Sequence, residues 1–112
     1  MIEARLISYL SECMDVPVFM EVPEDMPERF IVIEKTGSSI TGRAIKTAVF
    51  ALQSYALTMY EAAMLNEELK DVTFMMIERD DIINVELESD YNWTDSSIKR
   101  YRYQAVFDIR YY

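Results

Sequence analysis

Lys99-Arg100-Tyr101-Arg102-Tyr103-Gln104-Ala105-Val106-Phe107-Asp108-Ile109-Arg110-Tyr111-Tyr112 is the stretch that decides the fold. Tyr101, Tyr103, Ala105, Phe107, Ile109 and Tyr111 fall on one parity; Arg100, Arg102, Gln104, Asp108 and Arg110 fall on the other. Successive side chains of a strand point to opposite faces, so this is a long β-strand with one buried face. Residues 83–88, Ile-Asn-Val-Glu-Leu-Glu, alternate in the same way. They are the strand onto which the last one folds back, across a polar turn at residues 92–97.

Further upstream, Thr58-Met59-Tyr60-Glu61 is a capping box. Ala62, Leu65, Leu69, Val72 and Met76 then repeat at helical spacing, while Glu67, Glu68, Lys70 and Asp71 are expected to face water. Residues 44–56 form a long strand, with Ala48, Phe50, Leu52 and Ser54 on one face and Val49, Ala51, Gln53 and Tyr55 on the other. Residues 36–42 hold both glycines and are predicted to be a hairpin loop. Residues 30–35 are a strand apolar on both parities at its start, and residues 18–22 a shorter strand, with a turn at 23–27 between them. Residues 2–14 make an amphipathic helix with Ile2, Leu6, Tyr9, Leu10 and Cys13 on one stripe, ended by Asp15 and Pro17.

The order is α-β-β-β-α-β-β. Every link between strands is short, which predicts antiparallel neighbours. The expectation is a single α+β domain over residues 1–112: a mostly antiparallel sheet of about five strands with two helices packed on it. Hydrophobic residues make up 51% of the chain, enough for a core, and no apolar run is long enough to span a bilayer. Met1-Ile2-Glu3-Ala4-Arg5 carries an early acid and no apolar h-region, so no signal peptide is expected.

The net charge is -9, from 11 basic and 20 acidic residues. Such a surface repels phosphate and argues against sequence-specific nucleic-acid binding. Between residues 37 and 56 the only charges are Arg43 and Lys46, both basic. That asymmetry fits either steering of contacts between subunits or a solvated hairpin. With one cysteine, Cys13, no internal disulfide can form, which suits a reducing compartment. With no histidine, triads of the His type are excluded.

Gly37-Ser38-Ser39-Ile40-Thr41-Gly42-Arg43-Ala44 mimics a phosphate loop, but Arg43 and Ala44 stand where Lys and Ser or Thr are needed, and a strand follows. Glu78-Arg79-Asp80-Asp81 reads as a charged connection, not a metal or acid–base site. Asn92-Trp93-Thr94 matches a glycosylation acceptor, which carries no meaning without a secretory signal. Trp93 is either an exposed contact or a side chain folded onto the edge of the core. Met59, Met64, Met75 and Met76 around the second helix could make an adaptable contact surface, but helical spacing favours reading them as core packing. Tyr111 and Tyr112 suit an interface and equally suit the end of a strand. Cys13 is read as a small core residue. No set of catalytic, metal-binding or cofactor-binding residues emerges, so a non-enzymatic role is expected.

With these elements in place, three segments resemble the small tail terminator, or tail completion, proteins of long, non-contractile-tailed bacteriophages and prophages. They are Val16-Pro17-Val18-Phe19-Met20-Glu21-Val22-Pro23 with Pro27-Glu28-Arg29-Phe30-Ile31-Val32-Ile33-Glu34-Lys35-Thr36-Gly37-Ser38; Ala48-Val49-Phe50-Ala51-Leu52-Gln53-Ser54-Tyr55-Ala56 leading into Tyr60-Glu61-Ala62-Ala63; and Ser89-Asp90-Tyr91-Asn92-Trp93-Thr94-Asp95 with Arg102-Tyr103-Gln104-Ala105-Val106-Phe107-Asp108-Ile109. The likeness is weak across residues 70–88.

The resemblance implies a virion structural protein that assembles in the bacterial host cytoplasm into a self-associated ring, typically a hexamer. The ring caps the tail tube, contacts the tail-tube protein and joins it to the head connector; DNA passes through the lumen unbound. No membrane and no cofactor is implied. The expected interface draws on Gly37, Ser38, Ser39, Ile40 and Gly42, on Arg43 and Lys46 against an acidic face of the next subunit, and on Trp93, Tyr111 and Tyr112. The alternatives are another head–tail connector, neck or tail-tube protein, or an unrelated small-molecule or protein binding module with an aromatic strand face lining a pocket.

Overall fold

The strand at residues 101–111 lies inside the sheet, and Ala105, Phe107, Ile109 and Tyr111 are buried on one face, as its alternation demands. The computed structural model describes residues 1–42 and 44–112. Its elements are α1 (Ile2–Cys13), β1 (Val18–Phe19), β2 (Phe30–Thr41), β3 (Ile45–Ala56), α2 (Met59–Phe74) continuing into a 3-10 turn (Met75–Glu78), β4 (Ile82–Asn92) and β5 (Tyr101–Tyr111). One five-stranded sheet runs β1-β2-β3-β5-β4. This is the α+β architecture and the element order expected.

Both helices pack on one face. Ala48, Phe50 and Leu52 of β3, Ala105, Phe107 and Ile109 of β5, and Ile31 and Ile33 of β2 meet Leu6 and Leu10 of α1 and Leu65 and Leu69 of α2. Each is almost wholly buried. Removing such side chains from water stabilises the fold by about 1.5–3 kcal/mol for each large one. Phe74 adds an edge-on contact to Phe107, ring centres 5.2 Å apart. The Tyr9 hydroxyl donates to the Val72 carbonyl at 2.5 Å and ties the helices together.

The capping box forms at its backbone arm: the Glu61 N–H donates to Thr58 Oγ1 at 3.1 Å. The Glu61 carboxylate then accepts from the Thr58 hydroxyl, at 3.0 Å.

Four expectations are corrected. Residues 36–41 are strand, not loop; the reversal is confined to the turn at Gly42, whose φ of 68° only glycine adopts freely. A bulge between Lys35 and Gly37 shifts the register, so the two-residue alternation breaks there. The first strand is two residues long and pairs with β2 in parallel, Val18 with Ile31 and Phe19 with Val32; residues 20–29 carry the chain back to the start of β2. Cys13 is exposed, because Met14 takes the next buried position of the α1 stripe. Lys70 is turned inward, its side chain 14% exposed, between Glu67 and Asp90. A second bulge, between Leu87 and Ser89, rotates Asp90 onto the helix face to meet it.

Of the four methionines at α2, Met76 is core, whereas Met64 and Met75 are exposed beside Tyr60 and Ile77.

Candidate functional site

Among the described residues, no helix covers the second face of the sheet. Its register follows from the strand pairing: Val49, Ala51, Gln53 and Tyr55 of β3 stand beside Asp108, Val106, Gln104 and Arg102 of β5. At one end, Phe30, Val32 and Tyr55 form a small separate core, closed by Phe19, Met26 and Ile98. Phe30 and Tyr55 stack with ring centres 4.5 Å apart. At the other end this face is open, and the β2–β3 hairpin closes in the turn at Gly42.

The expected interface residues separate into two groups. Gly37, Ser38, Ser39 and Ile40 lie in the outer half of β2, Gly42 in the turn, and Lys46 opposite Ile40 on β3. Ile40 is 67% exposed. Arg43 lies outside the described residues. Lys46 also pairs with Tyr111, so the end of β5 joins this group. Tyr111 itself is buried, with the Arg5 guanidinium 5.1 Å from its ring centre, and offers no free surface; Tyr112 is exposed. Arg5 pairs with Asp81 at 2.8 Å, and the Tyr112 N–H donates to the Asp81 carbonyl, so α1 fastens this end of the sheet.

Trp93 belongs elsewhere. It lies at the Tyr55–Arg102 end of the sheet, nine residues along β3 from Lys46, or roughly 30 Å. It is 43% exposed. The Arg102 guanidinium lies 4.1 Å from the Trp93 ring centre, a cation–π distance. Arg102 Nε donates to the Trp93 carbonyl at 2.7 Å and Nη1 to the Tyr55 hydroxyl at 3.1 Å. Trp93 and Arg102 form one wall of a shallow groove, Met20 and Val22 the other, and Val32, Glu34, Gln53 and Tyr55 its floor.

Beneath the groove a chain of hydrogen bonds crosses four strands. Gln53 Nε2 donates to Gln104 Oε1 at 2.9 Å and, more weakly, to Glu34 Oε2 at 3.4 Å; Gln104 Nε2 donates to the Tyr91 hydroxyl. Both glutamines are buried. Sequence reasoning placed Gln53 and Gln104 on the correct face without assigning them a role. The available signal was an uncharged polar pair among Ala51, Val106 and Tyr55, on a parity otherwise able to be apolar.

Between the two ends, Glu86, Glu88 and Asp108 share the uncovered face. The Asp108 carboxylate beside it, followed by a hydrogen bond with Asp108, raises the Glu88 carboxyl above its ordinary value, with Glu86 adding to the effect. In the turn after β4, Asp95 accepts from the Ser97 N–H and hydroxyl, which lower its pKa. Among the described residues, no group of three or more His, Cys, Asp or Glu is arranged to hold a metal ion, and no helix is long and apolar enough to cross a membrane.

No protein-family model and no curated protein sequence matches the chain.

Proposed function

We propose that this chain is the subunit of a ring that ends the tail tube of a long, non-contractile-tailed phage and joins it to the head connector. The observation that carries the reading is the one-sided architecture: helices close a single face, while the outer part of the opposite face, the β2–β3 hairpin, the β4 edge and the outer half of the β2 edge are left for contacts. The sheet-and-helix layout is the α+β architecture expected from the order of elements in the sequence. The hairpin carries the basic Lys46, and the uncovered face carries Glu86, Glu88 and Asp108, which gives a subunit unlike surfaces to present to its neighbours. The net negative charge suits a lumen through which DNA passes unbound.

The deciding experiment adds purified chain to polymerising tail-tube protein. Arrest of tube growth, with closed rings at the tube ends in negative stain, supports a terminator. Filaments formed by the chain alone favour a tube subunit. Rings that bind the head connector and leave tube growth unaffected favour a neck or connector protein. Lys46→Glu is expected to fold normally and lose capping; retained capping removes Lys46 from the contact.

A second reading, a binding module, is favoured by the groove at Trp93 and Arg102. A ligand retained through purification, seen by native mass spectrometry and lost in Trp93→Ala, would support it.

A further inference from the structure

We propose that copies of this chain join edge to edge, with the free edge of β4 in one copy pairing antiparallel with the free half of β2 in the next. The two edges stand on the structure alone; only closure into a ring rests on the reading above.

β4 is an outermost strand with β5 as its one neighbour. β2 is outermost over most of its length, because β1 pairs with it only at Ile31 and Val32. Among the described residues, the backbone from Glu34 to Thr41 therefore has no partner on that side, and neither has the outer side of β4. Open edges present rows of unpaired N–H and C=O groups, which natural chains cover or blunt. Here the segment from Thr36 to Thr41 carries no proline and no charge.

The two edges are matched in height. Residues facing one another across the sheet run Ser39–Thr47–Arg110–Asn84 and Gly37–Val49–Asp108–Glu86. The free half of β2 thus lies level with residues 82–90 of β4. They are also matched in direction. Three successive antiparallel pairings separate β2 from β4, so the two strands run in opposite senses. Rotating one copy into the next about an axis along the strands preserves those senses, and β4 meets β2 antiparallel with all helices on one side of the joined sheet. The contact is head-to-tail, the kind that a rotation closes.

Charge disfavours a contact between two β4 edges. Two β4 edges brought together would set Glu86 and Glu88 against the same residues of the other copy, and like charges across strands repel. From Thr36 to Thr41 the β2 edge offers β4 no charged side chain; Glu34 and Lys35, at the inner end of the free half, are the charges it carries.

The test uses Ser39→Cys and Asn84→Cys together in a Cys13→Ser background, with Ser39→Cys plus Glu86→Cys covering a two-residue slip. Expected is a ladder of disulfide-linked oligomers from a double variant and only monomer from each single one. In the native chain, hydrogen exchange of residues 34–41 and 82–92 is expected to slow roughly tenfold or more on assembly. Closed rings with no ladder and no such protection overturn the edge pairing and leave the ring reading standing. Open filaments that show the ladder support the pairing and sink ring closure. A chain monomeric at every concentration, with no ladder, overturns self-pairing, while tube capping still decides the terminator reading. A ladder-free dimer from Ser39→Cys alone overturns it in favour of a β2–β2 contact.

Discussion

Arg102 holds Trp93 from two sides at once: its guanidinium lies 4.1 Å from the indole ring centre while its Nε donates to the Trp93 backbone carbonyl. The pair fixes the start of the β4–β5 connection and one wall of the groove. Trp93 is the sole tryptophan, so its emission reports this geometry without interference. Arg102→Ala is expected to cost about 1–2 kcal/mol, from the lost cation–π contact and hydrogen bonds. It should also shift the Trp93 emission to longer wavelength. Arg102→Lys keeps the charge but not the planar fork, and should recover less than half of the loss in urea unfolding. A full rescue by lysine would mean that charge alone holds the loop.

Gln53 and Gln104 form a buried polar pair, and removing one partner strands the other. Gln53→Leu is expected to destabilise the chain by about 1–3 kcal/mol, the cost of an unsatisfied buried amide. The double variant Gln53→Leu, Gln104→Leu should cost less than the sum of the singles, with a coupling on the order of 1 kcal/mol. Strict additivity in a double-mutant cycle would show that the two amides do not act as a unit.

Lys70 bridges Glu67 and Asp90 beneath α2, and its hydrogen bonds to Asp90 and then Glu67 raise its pKa. A raised lysine stabilises the fold below its unfolded pKa and loses that contribution as pH rises through the folded value. At neutral pH the contribution is in full force. Lys70→Met leaves Asp90 with Asn66 as its remaining hydrogen-bond partner and should cost about 1–2 kcal/mol. Thermal melts at neutral pH check this; an unchanged Tm would show that the bridge contributes nothing.

The Glu88 carboxyl is raised by Asp108, so the folded chain holds a proton there that the unfolded chain has already released. The folded state then binds more protons in the carboxylate range, and stability falls as pH climbs through it. Asp108→Asn removes the main cause. Its Tm at pH 7 should exceed that of the native chain by on the order of a degree, and the difference should vanish once acid has protonated both groups. A lower Tm for the variant at neutral pH would contradict the repulsion.

The parts of the fold legible in sequence were those where a periodic pattern met a buried face. The β5 alternation, the Thr58 cap and the Leu65–Leu69 spacing each translated directly into structure. The outer half of β2 did not, because both of its sides meet solvent there. Thr-Gly-Ser-Ser carries no apolar alternation to mark a strand, and the composition is that of a turn. The bulges hid Asp90 in a similar way: counting by two puts it on the uncovered face, and one extra residue near Glu88 turns it toward Lys70. The parallel β1 is held by the Phe19–Phe30–Tyr55 cluster, a contact between distant segments that no local pattern encodes. The groove was invisible for the same reason, since Trp93, Arg102, Tyr55 and Gln53 converge only once three strands are in register.

The uncovered sheet face divides what the chain tolerates into two classes of genetic outcome. Along the outer half of β3, changes at Ala48 and Phe50 strike the packed side and should lower the amount of folded protein. Changes at Ile45, Thr47 and Val49, one residue away in each case, leave that amount intact and alter what the surface adheres to. A saturation library read twice, once for abundance and once for assembly, should therefore separate into alternating positions along a single strand. The spacing of β-structure would then be written into the phenotypes themselves.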